Sequence, residues 1–174
     1  MKEQSIRNRF HASQVLVRNA GVCALQWFRN QDLLQTEKKG PQDWVSQADR
    51  EVENMIRKRL HTLFPEDGFL GEESGFQDLG AKGIWVVDPI DGTSCFLNGL
   101  PSWCVSIAYV VGSQIEIGLI YAPCTDELFA TQRGFGATLN GREMKPSKAT
   151  SFDEGIVGLG YSPKSSIEAT QKAL

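Results

Sequence analysis

The chain has 174 residues, of which 41% are hydrophobic and 22% charged, as is ordinary for one soluble globular domain. Its formal net charge of −3 excludes the broad basic field that would attract nucleic acid or an anionic membrane. We therefore expect any affinity for phosphate to come from a local binding site, formed by a bound cation, a helix N-terminus or a few suitably positioned side chains.

The first 30 residues mix Lys and Arg with apolar residues and lack the continuous apolar core of a signal peptide. No apolar stretch reaches the length that spans a bilayer, so we predict a cytoplasmic chain without a membrane segment. Cysteines in that compartment are reduced and usually behave as small buried hydrophobes. We expect this of all four, which show no Cys-x-x-Cys pairing: Cys23, Cys95, Cys104 and Cys124.

Two helices are predicted at the start of the chain, because apolar residues recur there at steps of three and four. The stripe of the first helix is Ile6, Phe10, Ser13, Val17, Ala20, Ala24 and Phe28. The stripe of the second is Val52, Met55, Ile56, Arg59, Leu60 and Leu63, and Pro65 ends it. His11 and His61 lie at helical spacing without a partner motif, so we assign them no catalytic role. The polar segment 35–43 between the helices is predicted to be a mobile loop.

A set of strands is predicted after the helices, because the period of apolar residues shifts toward two from Phe69 onward. The predicted strands are 84–87, 103–111, 115–121, 128–132 and 137–144, with a further strand beginning in 154–161. Gly112-Ser113 and Asn140-Gly141 are suited to tight turns between neighbouring strands. Helices followed by mostly antiparallel strands indicate an α+β layered domain, and no linker divides residues 1–174.

The segment Asp88-Pro89-Ile90-Asp91-Gly92-Thr93 is the most informative part of the sequence. A turn at Pro89 would aim both carboxylates and the Ile90 carbonyl into one small volume. Two like charges held that close favour a hard divalent cation. Gly92 lets a ligand approach the backbone, and Thr93 suits the start of a short helix whose N–H groups face an anion. The segment therefore indicates a site for a metal ion and a phosphate.

Other segments carry acidic residues that can complete such a site: Gly71-Glu72-Glu73-Ser74 and residues 43–49, which end in Asp49. Each segment alone also fits an ordinary structure. Asp-Pro and Asp-Gly pairs are common in plain turns, and Gly-Glu-Glu-Ser is typical of a solvated loop. The functional interpretation gains weight because each segment supplies groups that the others lack.

Gly-Glu-Glu-Ser followed by Trp-Val-Val-Asp-Pro-Ile-Asp-Gly-Thr resembles the inositol monophosphatase family of Mg²⁺-dependent, often lithium-sensitive phosphatases. The likeness runs from the first helix to about Tyr161. It implies the layered helix and antiparallel-sheet sandwich of the inositol monophosphatase and fructose bisphosphatase type. It also implies that residues 1–174 are an N-terminal domain, incomplete at the C-terminus, of a protein that forms a homodimer.

The resemblance also implies roles for the motif residues. Glu72, Asp88 and the Ile90 carbonyl would hold the first of two or three Mg²⁺ ions, and Asp88 would bridge to a second ion that Asp91 also binds. Two more residues of the segment 88–93 and residues of two further segments complete the implied site. Gly92 and Thr93 match backbone positions that receive the phosphate, Thr93 and Asp49 with Glu72 orient and deprotonate the attacking water, and Lys38, or Lys39, lies in a loop that closes over the site.

The implied reaction is hydrolysis of a small phosphate monoester by metal-activated water, with inositol monophosphate as the default substrate. Alternatives with the same chemistry are 3′-phosphoadenosine 5′-phosphate, histidinol phosphate and fructose 1,6-bisphosphate. A non-catalytic role in binding metal, phosphate or a related chain also stays open. The chain departs from the family pattern in lacking a later Trp-Asp motif that supplies a third aspartate to the second metal. Asp153 and Glu154 are the nearest acidic candidates.

Overall fold

The structure is a computed structural model that describes residues 3–34, 36–40, 43–77 and 80–155, with the backbone alone for Glu3, Leu33, 36–40, 43–45 and Phe152. Contacts between Cα atoms divide the chain into two compact units, Met1–Met144 and Lys145–Leu174. The assignment of residues 1–174 to a single domain stays a prediction. All of the strands and α-helices described below belong to the first unit.

Both predicted helices are confirmed, as α1 (Glu3–Arg29) and α2 (Gln47–Leu63). Helix α2 begins with a capping box, in which Ser46 and Asp49 each bond the other's backbone N–H. It ends where predicted, immediately before Phe64 and Pro65. Among residues 3–34, 36–40, 43–77 and 80–155, no helix combines the length and apolar character that crossing a bilayer requires.

The prediction of a loop over residues 35–43 is wrong for most of that segment. The backbone of β1 (Thr36–Gly40) pairs antiparallel with that of β2 (Asp43–Ser46) in a separate two-stranded ribbon. Polar composition misled the prediction, because the backbone supplies the hydrogen bonds of a ladder and polar side chains are tolerated on edge strands.

Eight further strands form one sheet, in the order β10-β9-β8-β7-β6-β5-β3-β4. Their bounds are β3 Gly68–Gly71, β4 Gly75–Gln77, β5 Gly83–Asp91, β6 Cys104–Val111, β7 Gln114–Ala122, β8 Glu127–Gln132, β9 Ala137–Leu139 and β10 Arg142–Glu143. A short helix, α3 (Thr93–Leu97), follows β5. Only β3 and β5 pair in parallel among these strands, and every other neighbouring pair is antiparallel. The α+β class and the mostly antiparallel sheet are thus confirmed.

One face of the sheet packs against the two long helices. Val105, Ile107 and Tyr109 of β6 are at most 1% exposed and share a core cluster with the buried residues of α1 and α2. The alternate residues of β6 point to the other face and are only half-buried, as the period of two in a strand requires. Ile115 and Ile120 of β7 are 57% and 46% exposed.

Strand β5 continues through the segment in which Pro89 predicted a turn, so that prediction is wrong. The strand instead carries a bulge, because Asp88 pairs with Ser106 and Asp91 pairs with Cys104. Two residues of β5, Pro89 and Ile90, therefore lie opposite one residue of β6. A bulge accommodates proline, which has no N–H to donate to the ladder.

A largely buried ion pair ties the first turns of α1 to the sheet. Arg9 donates from Nε and Nη2 to the Asp67 carboxylate at 2.7 and 2.8 Å. The same carboxylate accepts from Trp85 Nε1 at 3.0 Å and from the Tyr109 hydroxyl at 3.1 Å. The Arg9 side chain is 12% exposed and that of Asp67 is 4% exposed. The pair links α1, the segment after α2 and strands β5 and β6.

The described part of the second unit, residues 145–155, contains one short 3₁₀-helix at Phe152–Glu154 and otherwise no regular secondary structure. The Thr150 N–H donates to the Glu154 carboxylate at 2.9 Å within this unit. Asp153 and Glu154 lie in this helix, so the strand predicted for 154–161 does not begin at Glu154. The rest of that predicted strand, residues 156–161, lies outside the described residues.

Candidate active site

The bulge in β5 decides where the two aspartates of the motif point. Asp88 and Asp91 are three residues apart, and in a regular strand they would face opposite sides of the sheet. Their partners Ser106 and Cys104 are two residues apart and therefore share one side. The additional residue of the bulge brings both carboxylates to the face of the sheet that is turned away from α1 and α2.

Glu72 lies in the turn that joins β3 to β4, next to this pair of aspartates. Its N–H donates to the Val87 carbonyl at 3.1 Å, one residue before Asp88. Strands β3 and β5 run in parallel here, with Gly71 beside Val87. The parallel pairing therefore places Glu72 beside Asp88, and the two carboxyl groups lie within hydrogen-bonding reach.

The half-buried carboxyl of Asp88 is the electrostatic centre of the cluster. Burial and the neighbouring negative charge of Glu72 raise the pKa of Asp88 to about 8, and Asp91 adds to the effect. The raised pKa reflects the repulsion between this carboxylate and its two negatively charged neighbours. A divalent cation among the three carboxylates would offset the same repulsion.

Ile90 and Thr93 lie directly beyond the two strand carboxylates. The Ile90 side chain is fully buried, and its backbone carbonyl accepts the Thr93 hydroxyl at 3.1 Å. The carbonyl retains a second lone pair with which it can bind an ion. Gly92 directly precedes Thr93 and has a φ of +94°. A Cβ at Gly92 would lie 2.8 Å from the Ser102 carbonyl oxygen. Both observations favour glycine at this position.

Asp49 is 1% exposed at the first turn of α2, where its carboxylate accepts the Ser46 hydroxyl at 2.5 Å and the Ser46 N–H at 2.8 Å. Burial raises the pKa of Asp49, and the negative charge of Glu72 also raises this pKa. The hydrogen bonds from Ser46 act in the opposite direction and lower it. Asp49 thus lies within electrostatic range of the cluster. In this structure its carboxylate bonds Ser46 and the Thr93 hydroxyl bonds Ile90, so the predicted pairing of Asp49 with Thr93 stays a prediction.

The predicted loop lysine falls in the ribbon that leads into α2. The backbone of Lys38 belongs to β1 and lies opposite Trp44 of β2. The side chains of Lys38 and of its alternative, Lys39, lie outside the described residues. Asp153, the candidate for a further acidic ligand, belongs to the second unit.

Glu53 is an acidic residue near the cluster that the sequence did not single out. It is 3% exposed on α2, and its carboxylate accepts the backbone N–H groups of Glu73 at 2.8 Å and Ser74 at 2.9 Å. A signal was present in the sequence, because Glu53 lies on the apolar stripe of α2 between Val52 and Ile56, four residues after Asp49. An acidic residue on a buried stripe needs a specific partner.

The donors of the cluster fit a magnesium ion chemically. Carboxylate oxygens and one backbone carbonyl are the ligands that Mg²⁺ prefers, and the ion commonly retains waters beside one or two protein carboxylates. Within the part of the chain that the structure describes, no three His, Cys, Asp or Glu side chains already converge as a complete metal site. The carboxylates are neighbours, with Asp88 between Glu72 and Asp91.

Comparisons of this chain with known proteins agree on one protein family. Residues 7–174 match the profile of the inositol monophosphatase family. The inositol-1-monophosphatase of Rhizobium meliloti (strain 1021) is 40% identical over 143 residues, which cover 81% of this chain and 53% of that protein. The fructose-1,6-bisphosphatase/inositol-1-monophosphatase of Thermotoga maritima is 33% identical over 154 residues, which cover 88% of this chain and 59% of that protein.

Solved structures show the same fold. The extragenic suppressor protein suhB from Bartonella henselae superimposes with a TM-score of 0.77 and 38% identity, over 80% of this chain and 54% of that one. The chain therefore spans about half the length of the relatives that it matches.

Proposed function

The chain belongs to the inositol monophosphatase family, and from that premise we propose that it forms part of a Mg²⁺-dependent phosphatase of small phosphate monoesters. The observation that carries the proposal is the placement of Glu72, Asp88 and Asp91 together, with the pKa of Asp88 raised by burial and by the charges of the other two. Family membership supplies the reaction class, and the cluster supplies groups with the chemistry that this reaction needs.

We assign the first ion to Glu72, Asp88 and the Ile90 carbonyl. A second ion is assigned to Asp88 and Asp91. Bound Mg²⁺ supplies activation of water and neutralisation of the charge that develops on the phosphate and on the leaving oxygen. The count of two or three ions is part of the proposal.

The chain's own residues perform the remaining tasks in this proposal. Glu72 accepts the proton of the attacking water, and it lies at the edge of the cluster, where it is open to solvent. Asp49 and Thr93 orient that water, which requires the Thr93 hydroxyl to exchange its bond to Ile90 for one within the site. The backbone of Gly92 and Thr93 binds the phosphate, and Lys38 closes over it.

The default substrate is inositol monophosphate, in keeping with the name of the Rhizobium relative. The name of the Thermotoga relative makes fructose 1,6-bisphosphate a specific second candidate. We retain 3′-phosphoadenosine 5′-phosphate and histidinol phosphate as further candidates with the same chemistry. Cytoplasmic location, lithium sensitivity and a homodimeric state of the complete protein also belong to this proposal.

Release of inorganic phosphate from these four substrates tests the proposal. The assay is run with Mg²⁺, with Mg²⁺ and Li⁺, and with EDTA, and sedimentation of the same sample gives the oligomeric state. We expect the complete protein to release phosphate in a reaction that requires Mg²⁺ and that differs between substrates. Calorimetry that shows Mg²⁺ binding without release from any substrate would instead support the non-catalytic role.

A further inference from the structure

We propose that Glu53 is a positioning residue that holds the turn 72–74 and so directs the Glu72 carboxylate toward Asp88. The inference deepens the proposed function, because it takes the roles of Glu72 in binding metal and accepting a proton as given. Glu53 itself touches neither substrate nor metal in this proposal. It acts through the backbone of the two residues that follow Glu72.

Both carboxylate oxygens of Glu53 accept hydrogen bonds from that backbone. One oxygen, Oε2, accepts the Glu73 N–H at 2.8 Å, and the other, Oε1, accepts the Ser74 N–H at 2.9 Å. Hydrogen bonds to an ionised acceptor are about twice as strong as bonds between neutral groups. Glu53 is 3% exposed, so water competes little for these two bonds.

Gly71 lets the turn approach Glu53 closely. A Cβ at position 71 would lie 2.4 Å from both the Cδ and the Oε2 atoms of Glu53. No side chain is compatible with the carboxylate in this place, so the close approach explains the glycine at the end of β3. The carboxylate is therefore confined between the backbone of Gly71 and the two N–H groups beyond Glu72.

The backbone of Glu72 is consequently fixed on both sides. Its own N–H donates to the Val87 carbonyl of β5 at 3.1 Å, and the next two N–H groups donate to Glu53 of α2. An exposed turn without such bonds samples many backbone conformations. With them, only the side-chain torsions of Glu72 remain free, and the carboxylate stays beside Asp88. Residues that orient ligands in this way commonly influence metal affinity and turnover.

The test compares Glu53→Gln with the purified wild-type chain, with Glu51→Gln as the matched control on the same helix. Glutamine keeps the size of the side chain but has one acceptor oxygen for two N–H groups. We expect the amides of Glu73 and Ser74 to exchange with deuterium at least about ten-fold faster, while those of Leu70 and Val87 are unchanged. We also expect Mg²⁺ affinity and kcat each to fall about ten-fold or more, with KM changed less than about three-fold.

Gly71→Ala is a second variant that disturbs the same contact from the other side. Its Cβ displaces the Glu53 carboxylate, so amide exchange at Glu73 and Ser74 should again become faster and Mg²⁺ affinity should again fall. In the double variant these changes should be smaller than the sum of the changes in the two single variants. If Glu53→Gln does not fold, Gly71→Ala tests in its place whether Glu53 holds the turn. A residue that only stabilises the fold would lower the melting temperature and leave Mg²⁺ affinity and kcat of the folded protein unchanged.

Unchanged exchange at Glu73 and Ser74, or unchanged Mg²⁺ affinity beside faster exchange, overturns the inference. The proposed function fails separately, when the wild-type chain neither binds Mg²⁺ nor releases phosphate. The exchange measurement needs neither activity nor metal, so in that event it still decides whether Glu53 holds the turn.

Discussion

Asp88 and Asp91 lie three residues apart in β5 but pair with Ser106 and Cys104, which lie two apart in β6. The bulge between them shifts the alternation of side chains along β5 by one residue, so both carboxylates reach the same face of the sheet. Glu72 reaches that face from β3 through the parallel pairing with β5. The proposed metal site therefore depends on the register of three neighbouring strands, and each of its carboxylates can be tested by itself.

In the complete protein, replacing Asp91 with asparagine should lower phosphatase activity by at least about 100-fold, because Asp91 is the local carboxylate that we assign to the second ion alone. The variant keeps the size of the side chain and removes its charge. Steady-state kinetics at saturating Mg²⁺ measures the effect. Asp32→Asn, at an exposed position outside the site, is the control and should behave as the wild type does. Near-normal turnover of Asp91→Asn at saturating Mg²⁺ would falsify the assignment.

In the complete protein, Glu72→Gln should lower kcat by about 100-fold and change KM by less than about three-fold, because the residue acts on the nucleophile and not on the phosphate. The two constants must be measured separately over a full range of substrate. Glu66→Gln, in the exposed segment after α2, serves as the matched control. An increase in KM at constant kcat would show that Glu72 binds substrate and is not the base.

Asp67→Ala should lower the free energy of unfolding by about 3 kcal/mol or more, since it leaves the buried guanidinium of Arg9 without its carboxylate. Urea denaturation followed by circular dichroism measures this change. The control is Glu116→Ala, which removes a longer and more exposed ion pair with Arg133 and should cost less than about 1 kcal/mol. Equal losses in the two variants would show that the buried pair has no special role in stability.

Cys23 should be alkylated by iodoacetamide at pH 8 about ten-fold more slowly in the native chain than in guanidinium chloride. Burial, with the charge of Glu51, raises the pKa of this thiol, and burial raises that of Cys124 as well. A raised pKa lowers the fraction of reactive thiolate at a given pH, so the native rate should increase as the pH rises above 9 or so. Mass spectrometry of the modified peptides gives the rates. Equal rates in the native and denatured chains would contradict this assignment.

Periodicity alone was sufficient to predict the two long helices, the α+β class and the hairpin at Gly112-Ser113, because these depend on local patterns of apolar residues. The acidic segments were also recognisable, since a charged residue such as Asp88 directly after a run of apolar residues needs a partner. The bulge was not predictable in the same way. Pro89 fits a turn as well as a bulge, and the choice depends on pairing with Ser106 and Cys104, which lie more than ten residues further along the chain.

Glu53 shows a different limit of sequence analysis. Its partners are backbone N–H groups, which every residue except proline offers and which no sequence pattern identifies. The acidic residue on the buried stripe of α2 indicated that a partner exists, but not where. The ribbon of β1 and β2 escaped prediction for a similar reason, because backbone pairing can join polar segments.

Strand β6 separates the proposed active site from the turn that leads to β7. The strand has 8 residues, which at about 3.3 Å each place Val111 some 23 Å from Cys104, the partner of Asp91. Gly112 adopts φ of +62° in this turn, and no atom lies within 4 Å of the place where its Cβ would be. A short epitope or a fluorophore-bearing peptide inserted between Gly112 and Ser113 should therefore be accommodated, and it offers a handle for immobilising or tracking the protein without obstructing substrate.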